Sequence, residues 1–78
     1  MASMSQLDLL LAEPDPVARL AKLRDYLDQG RISVARAEAA RDRTIRELRE
    51  TGVGRTALAR MSGLSLSRVK QLTPGEKP

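Results

Sequence analysis

The amino-acid sequence predicts an all-α protein that has a core of three consecutive helices and an additional N-terminal helix. Apolar residues recur every three or four positions over residues 16–28 and 34–50, which is the spacing of one helix face. Residues typical of helix starts precede these segments, and glycines follow them. Because the chain has only 78 residues, we expect a single helical domain, over residues 15–73.

The first helices are predicted from leucines and from capping residues. Residues 1–14 form a leading segment whose leucines predict a short leucine-rich helix. Asp15 is a typical N-cap, and Pro16 suits the first helical position, so a helix is expected over residues 16–28. Gly30 is placed to end it.

A longer helix is predicted over residues 34–50, with Ser33 as its N-cap. It ends where the chain reads Thr-Gly-Val-Gly, with Gly52 suited to the left-handed conformation that follows many helices. The face opposite its apolar stripe mixes arginines with Asp and Glu. We interpret that face as a solvated surface, with an extended phosphate-binding footprint as the less favoured alternative.

Two short helices are expected near the C-terminus, over residues 55–62 and 66–72. Gly63 interrupts the helical pattern, and Ser65 is a typical N-cap for the second of them. Residues 74–78 are expected to form a disordered tail.

Charge is distributed unevenly along the chain. The net charge is +4, yet residues 1–30 carry more acids than bases and residues 31–78 carry the basic excess. Residues 55–72 contain four Lys or Arg and no acid. A basic segment of this kind is typical of a nucleic-acid partner.

Several function classes are disfavoured by composition. The chain has no Cys and no His, so it lacks disulfides, the usual zinc ligands and the commonest catalytic bases and nucleophiles. We therefore expect no enzyme, no cofactor, no metal site and no small-molecule ligand. Tyr26 alone cannot form a platform for stacking bases. No signal peptide or membrane-spanning run is evident, so we expect a cytoplasmic, nucleoid-associated protein without a membrane partner.

The segment from Gly54 to Leu72 resembles the helix-turn-helix of small bacterial and phage DNA-binding proteins. The resemblance rests on a small residue in the first helix, a glycine at the turn, an apolar residue after it and apolar anchors in both helices. These positions are filled by Leu58, Ala59, Gly63, Leu64, Val69 and Leu72. The pattern departs at Ser62, where an apolar residue is common; we expect this side chain to be part-exposed or to bond back to a helix carbonyl.

The resemblance implies sequence-specific binding of double-stranded DNA, with the second helix of the motif in the major groove. Arg68 would then pair with guanine and Gln71 with adenine. Ser65, Ser67 and Lys70 would contact phosphate or bases at the same helix. Arg55, Thr56 and Arg60 would contact the sugar-phosphate backbone.

A homodimer acting as a small transcriptional regulator is expected, because a chain this short buries a marginal core, and we expect its leucines to exceed what that core can cover. Its half-sites on DNA would lie roughly 34 Å apart, or a multiple of that. The residues expected at the dimer interface are Leu7, Leu10, Leu11, Val17, Leu20, Leu23 and Leu27.

Two alternatives stay open from the sequence. One is a helical protein-interaction module, such as an adaptor or anti-repressor, that uses the N-terminal leucine-rich helices. The other is an architectural protein that binds DNA without sequence preference. The first predicts Arg68, Lys70 and Gln71 buried or paired to acids, whereas DNA binding predicts them exposed on one ridge.

Overall fold

The computed structural model describes residues 6–30 and 34–74, and all regular structure within them is helical. The helices follow one another along the chain as α1 (Gln6–Leu11), α2 (Pro16–Asp28), α3 (Val34–Glu50), α4 (Arg55–Ser62) and α5 (Leu66–Leu72). The all-α prediction is confirmed. Helices α2 to α5 begin and end at the residues expected from the caps and glycines. The expected Ser33 cap, and the expected tail beyond residue 74, lie outside the described residues.

Local chemistry explains the start of α2. The side chain of Asp15 accepts a hydrogen bond of 3.2 Å from the backbone N–H of Val17, and Pro16 occupies the first helical position. A carboxylate at this place satisfies a backbone donor that the helix itself leaves unpaired. The cap and Pro16 therefore fix where α2 begins, whereas its buried face is set by the spacing of Leu20, Leu23 and Tyr26.

Apolar packing is divided between two clusters, both of which use α2 and α3. The first cluster joins these helices to α1 and consists of Leu7, Leu10, Leu23, Tyr26, Ala37 and Ala40. The second cluster joins them to α4 and α5 and consists of Leu20, Ile45, Leu48, Leu58, Val69 and Leu72. Helices α2 and α3 therefore form the shared framework on which the C-terminal pair is held.

The leucines expected at a dimer interface lie mostly inside the single chain. Leu7, Leu10, Leu20 and Leu23 are buried within the two clusters, and Leu11 and Leu27 pack partly against the first cluster. Of the seven, Val17 alone is exposed, at 48%. The expectation that these leucines exceed what the core can cover is wrong, because α1 packs onto the first cluster and α4 and α5 cover Leu20 in the second.

The arginine-rich face of α3 is also less uniform than expected. Arg41 is 8% exposed, and both its Nε and Nη2 atoms donate to Asp42 Oδ1 at 3.0 Å. Thr44 is buried one turn further on, and its hydroxyl donates to the carbonyl of Ala40 at 2.8 Å. Part of this face therefore belongs to the protein interior.

Candidate nucleic-acid interface

Helices α4 and α5 are joined by three residues, Gly63 to Ser65, in a tight turn. Gly63 adopts a left-handed backbone conformation, with φ 76° and ψ 9°, and its N–H donates to the carbonyl of Ala59 at 3.0 Å. Glycine takes this conformation without the steric cost that a Cβ brings. The turn sets the direction in which α5 leaves α4.

The inner faces of this helix pair rest on the second cluster. Leu58 of α4 and Val69 of α5 are fully buried there, against Ile45 and Leu48 of α3. Leu64 of the turn packs partly against the same cluster. The outward face of α5 is therefore set by contacts on its opposite side.

Ser62 is buried at the end of α4, and its hydroxyl donates to the carbonyl of Leu58 at 2.7 Å. The same oxygen accepts from the N–H of Leu64 at 3.3 Å. A polar side chain is tolerated here because each of its hydrogen-bonding functions has a partner. The expectation that Ser62 bonds back to a helix carbonyl is confirmed.

Leu66 is exposed, unlike Val69 and Leu72, the other apolar residues of α5. It is 40% exposed, because the first residue of α5 projects beyond the second cluster. This adds an apolar side chain to the outer surface near the start of α5.

The outward face of α5 consists of exposed polar residues that carry no negative charge. These residues are Ser67, Arg68, Lys70 and Gln71. Arg68 Nη1 donates to Oε1 of Gln71 at 3.1 Å, one turn along the helix. Ser65, which precedes α5, has a structural role: its side-chain oxygen caps the helix by accepting from the N–H of Arg68 at 3.1 Å.

The residues expected to contact the DNA backbone from α4 divide into two kinds. Thr56 and Arg60 are exposed. Arg55 is half-buried and is held against the end of α5, where its Nε donates to Thr73 Oγ1 at 2.9 Å and its Nη2 to the Thr73 carbonyl at 3.0 Å. Arg55 thus has a structural contact that the sequence did not reveal.

Arg46 of α3 lies on the face that the sequence predicts to be solvated. Its side chain nevertheless reaches the end of α5 that Arg55 also contacts. Its Nε donates to the carbonyl of Leu72 at 3.1 Å. Two guanidinium groups, from Arg46 and Arg55, therefore meet the carbonyl end of α5, where positive charge is favoured by the helix dipole. Because Arg46 alternates with acids along α3, the sequence predicts a solvated side chain at this position. No local sequence signal indicates the contact between Arg46 and α5.

The salt bridges distinguish the part of the molecule formed by α1, α2 and α3 from the pair formed by α4 and α5. Salt bridges link α1, α2, α3 and the chain before α2, in the pairs Arg19–Glu47, Lys22–Glu13, Arg36–Asp8 and Arg41–Asp42. The hydrogen bond from Lys22 lowers the pKa of Glu13 below its ordinary value. Across residues 6–30 and 34–74, no cation of α4 or α5 is paired with a carboxylate. The positive charge of α4 and α5 therefore stays available to an external anion.

Other kinds of site receive no support from the described part of the chain. It contains no cluster of three or more Asp, Glu, His or Cys residues placed to hold a metal ion. None of its helices combines the length and the apolar character that crossing a membrane requires. A shallow groove of about 380 Å³ between α1 and α2 is lined by Leu9, Tyr26 and polar side chains.

Comparisons with protein families, with curated proteins and with solved structures find no match to this chain.

Proposed function

We propose that α3, α4 and α5 form a tri-helical helix-turn-helix unit that binds double-stranded DNA sequence-specifically, with α5 in the major groove. One observation carries the proposal: the outward face of α5 presents Arg68, Lys70 and Gln71 to solvent, and no carboxylate within residues 6–30 and 34–74 is paired to them. Such a face is suited to base edges and phosphates, which offer mostly acceptors.

The surroundings of α5 support the same function. Thr56 and Arg60 are exposed on the neighbouring helix, and Arg46 and Arg55 are anchored at the far end of α5. Guanidinium groups held by backbone carbonyls keep further N–H donors for phosphate oxygens. The footprint would then have base-reading residues on α5 and phosphate-binding residues on both sides of it.

The protein-interaction alternative is less well supported. It predicts that Arg68, Lys70 and Gln71 are buried or paired to acids, whereas all three are exposed and none is paired to an acid of the described residues. It also relied on the N-terminal leucines as a docking surface, and four of those are buried within the chain itself. The role of the protein as a small regulator that acts as a homodimer stays part of the proposal, with a dimer surface other than those leucines.

The test is selection of bound duplexes from a random pool, followed by a salt titration on the enriched sequence. Wild type is compared with Arg68→Ala and with Arg36→Ala. The control removes the same charge from the other end of α3, about 15 Å along the helix from Arg46. We expect one enriched sequence, whose preference at one base pair is lost in Arg68→Ala and kept in Arg36→Ala.

Other outcomes distinguish the alternatives. Strong, salt-dependent binding without any enriched sequence would indicate an architectural protein that contacts only the DNA backbone. Absence of binding at low salt would overturn the proposal and favour a protein partner. A palindromic sequence, together with a dimer mass on the DNA, would support the homodimer.

A further inference from the structure

The hydrogen bond between Arg68 and Gln71 limits what the outward face of α5 can recognise. Arg68 Nη1 donates to Gln71 Oε1 at 3.1 Å, between positions three apart on the helix, where side chains are neighbours. A glutamine amide has two N–H donors and one oxygen, which carries two lone pairs. Because Arg68 already takes one of these lone pairs, Gln71 offers a ligand its two N–H donors and a single remaining lone pair.

The remaining polar groups on this face are also donors. Arginine and lysine side chains have donors and no acceptor. The Ser65 oxygen already accepts from the N–H of Arg68 at 3.1 Å, which leaves it one lone pair and its O–H donor. Apart from the remaining lone pairs of the serines and of Gln71, the polar groups that α5 turns outward therefore match a surface rich in acceptors.

Base pairs differ in how many acceptors they present in the major groove. Guanine has two neighbouring acceptors, O6 and N7, whereas adenine has one acceptor beside an N6 donor. A glutamine that reads adenine must accept from that N6 group through its amide oxygen. In this structure the oxygen already accepts from Arg68, so reading adenine would require it to accept a second hydrogen bond, from N6, beside the guanidinium.

We infer that Arg68 and Gln71 act as one unit that recognises guanine, with Arg68 as the reading residue and Gln71 as a positioning residue. The inference rests on the proposed function and specifies the DNA that the same site binds. Gln71 restrains the guanidinium before contact, which reduces the conformational freedom that Arg68 loses on binding. The bound half-site therefore carries guanine at the base pair that depends on Arg68.

The test begins with the full chain and the enriched duplex. The base pair whose preference disappears in Arg68→Ala identifies the position under Arg68. Duplexes are then compared that carry guanine, adenine, inosine or 7-deazaguanine there. We expect guanine to bind about tenfold more tightly than adenine. Inosine, which keeps O6 and N7, should bind like guanine, and 7-deazaguanine, which lacks N7, should bind more weakly.

Variants at position 71 separate positioning from direct reading. Gln71→Leu removes the acceptor for Arg68 and should lower the guanine-over-adenine ratio severalfold. Gln71→Glu keeps an acceptor for Arg68, so the ratio should be retained even though overall affinity falls through repulsion from phosphate. A glutamate side chain has no donor for a base. A preference for guanine that is retained in Gln71→Glu is therefore expected only if residue 71 positions Arg68.

Each contrary result has a distinct meaning. Adenine at the selected position, with a preference that Gln71→Leu abolishes, would show that Gln71 reads a base directly and would overturn the inference. An unchanged ratio in Gln71→Leu would overturn the positioning role. Failure to bind even a random duplex at low salt would overturn the proposed function itself, and is distinguishable because it does not depend on the base tested.

Discussion

Arg24 of α2 donates from Nη1 to the backbone carbonyl oxygen of Arg60, at 2.7 Å, across 36 positions of sequence. Its side chain also lies along the turn that follows, where a Cβ built on Gly63 would stand 3.1 Å from Arg24 Nε. One arginine therefore satisfies a carbonyl in the last turn of α4 and occupies the space beside Gly63. Arg24 thereby connects α2 to the turn between α4 and α5.

Gly63→Ala is expected to destabilise the fold more than Gly30→Ala. Gly63 (φ 76°) and Gly30 (φ 63°) are both left-handed, but among the described residues only a Cβ built on Gly63 would have a neighbour within 4 Å. Backbone strain alone should lower the free energy of unfolding by about 1–2 kcal/mol in Gly30→Ala. The displaced Arg24 should raise the loss to about 2–3 kcal/mol in Gly63→Ala.

Urea unfolding of a double-mutant cycle of Arg24→Ala and Gly63→Ala tests whether Arg24 causes the larger loss of stability. In an Arg24→Ala background, Gly63→Ala should cost no more than Gly30→Ala does. Equal losses for the two glycines in the wild-type background would contradict a role for Arg24 at the turn.

Ser65→Ala should lower the free energy of unfolding by about 1 kcal/mol, because the side chain of Ser65 caps α5. Ser67→Ala is the matched control, since Ser67 is exposed within the same helix. Its effect should stay within about 0.5 kcal/mol. Thermal or urea unfolding measures both, and a similar loss in the two variants would exclude the cap as the source.

Leu20→Ala should destabilise the monomer by about 2–5 kcal/mol, because Leu20 is fully buried in the second cluster. Leu9→Ala should change stability by less than about 0.5 kcal/mol, because Leu9 is 60% exposed. The unfolding midpoint should be measured over a range of protein concentrations. A midpoint that rises with concentration, and falls in Leu9→Ala, would mean instead that Leu9 lies in a dimer interface.

The pKa of Glu13 should rise towards its ordinary value in Lys22→Gln, since the hydrogen bond from Lys22 is the main cause of the lowered pKa. A lowered pKa in the folded state stabilises the fold above the unfolded-state pKa. That contribution is lost as pH falls through the folded-state pKa. Titration of the Glu13 carboxyl carbon by NMR measures the shift. Arg36→Gln, which removes the Asp8 ion pair, should leave it unchanged.

Arg46→Gln should weaken binding to all duplexes alike and reduce the slope of log K against log salt by about one. The expectation follows from the anchored position of Arg46 at the carbonyl end of α5. The matched control is Arg43→Gln, which removes an equal charge from an exposed side chain one turn earlier on α3. Equal salt slopes for Arg46→Gln and wild type would exclude a phosphate contact by Arg46, and a changed base preference would indicate base reading.

The sequence by itself determined where the helices begin and end. Asp15 and Ser65 supply caps, and Gly30, Gly52 and Gly63 supply left-handed residues, so each boundary depends on neighbours within about four positions. The same short-range chemistry indicated which residues of α5 would face outward, except at Leu66, whose exposure depends on how far the second cluster extends.

Only the tertiary structure decided how distant segments meet. The N-terminal leucines are covered because α1 packs back onto α2 and α3, and periodicity alone does not distinguish a core face from a dimer face. Arg24, Arg46 and Arg55 bond backbone carbonyls that lie between 18 and 36 positions away. Every residue except proline offers the same carbonyl and N–H, so such a contact leaves no pattern in the sequence and depends on the packed arrangement of the helices.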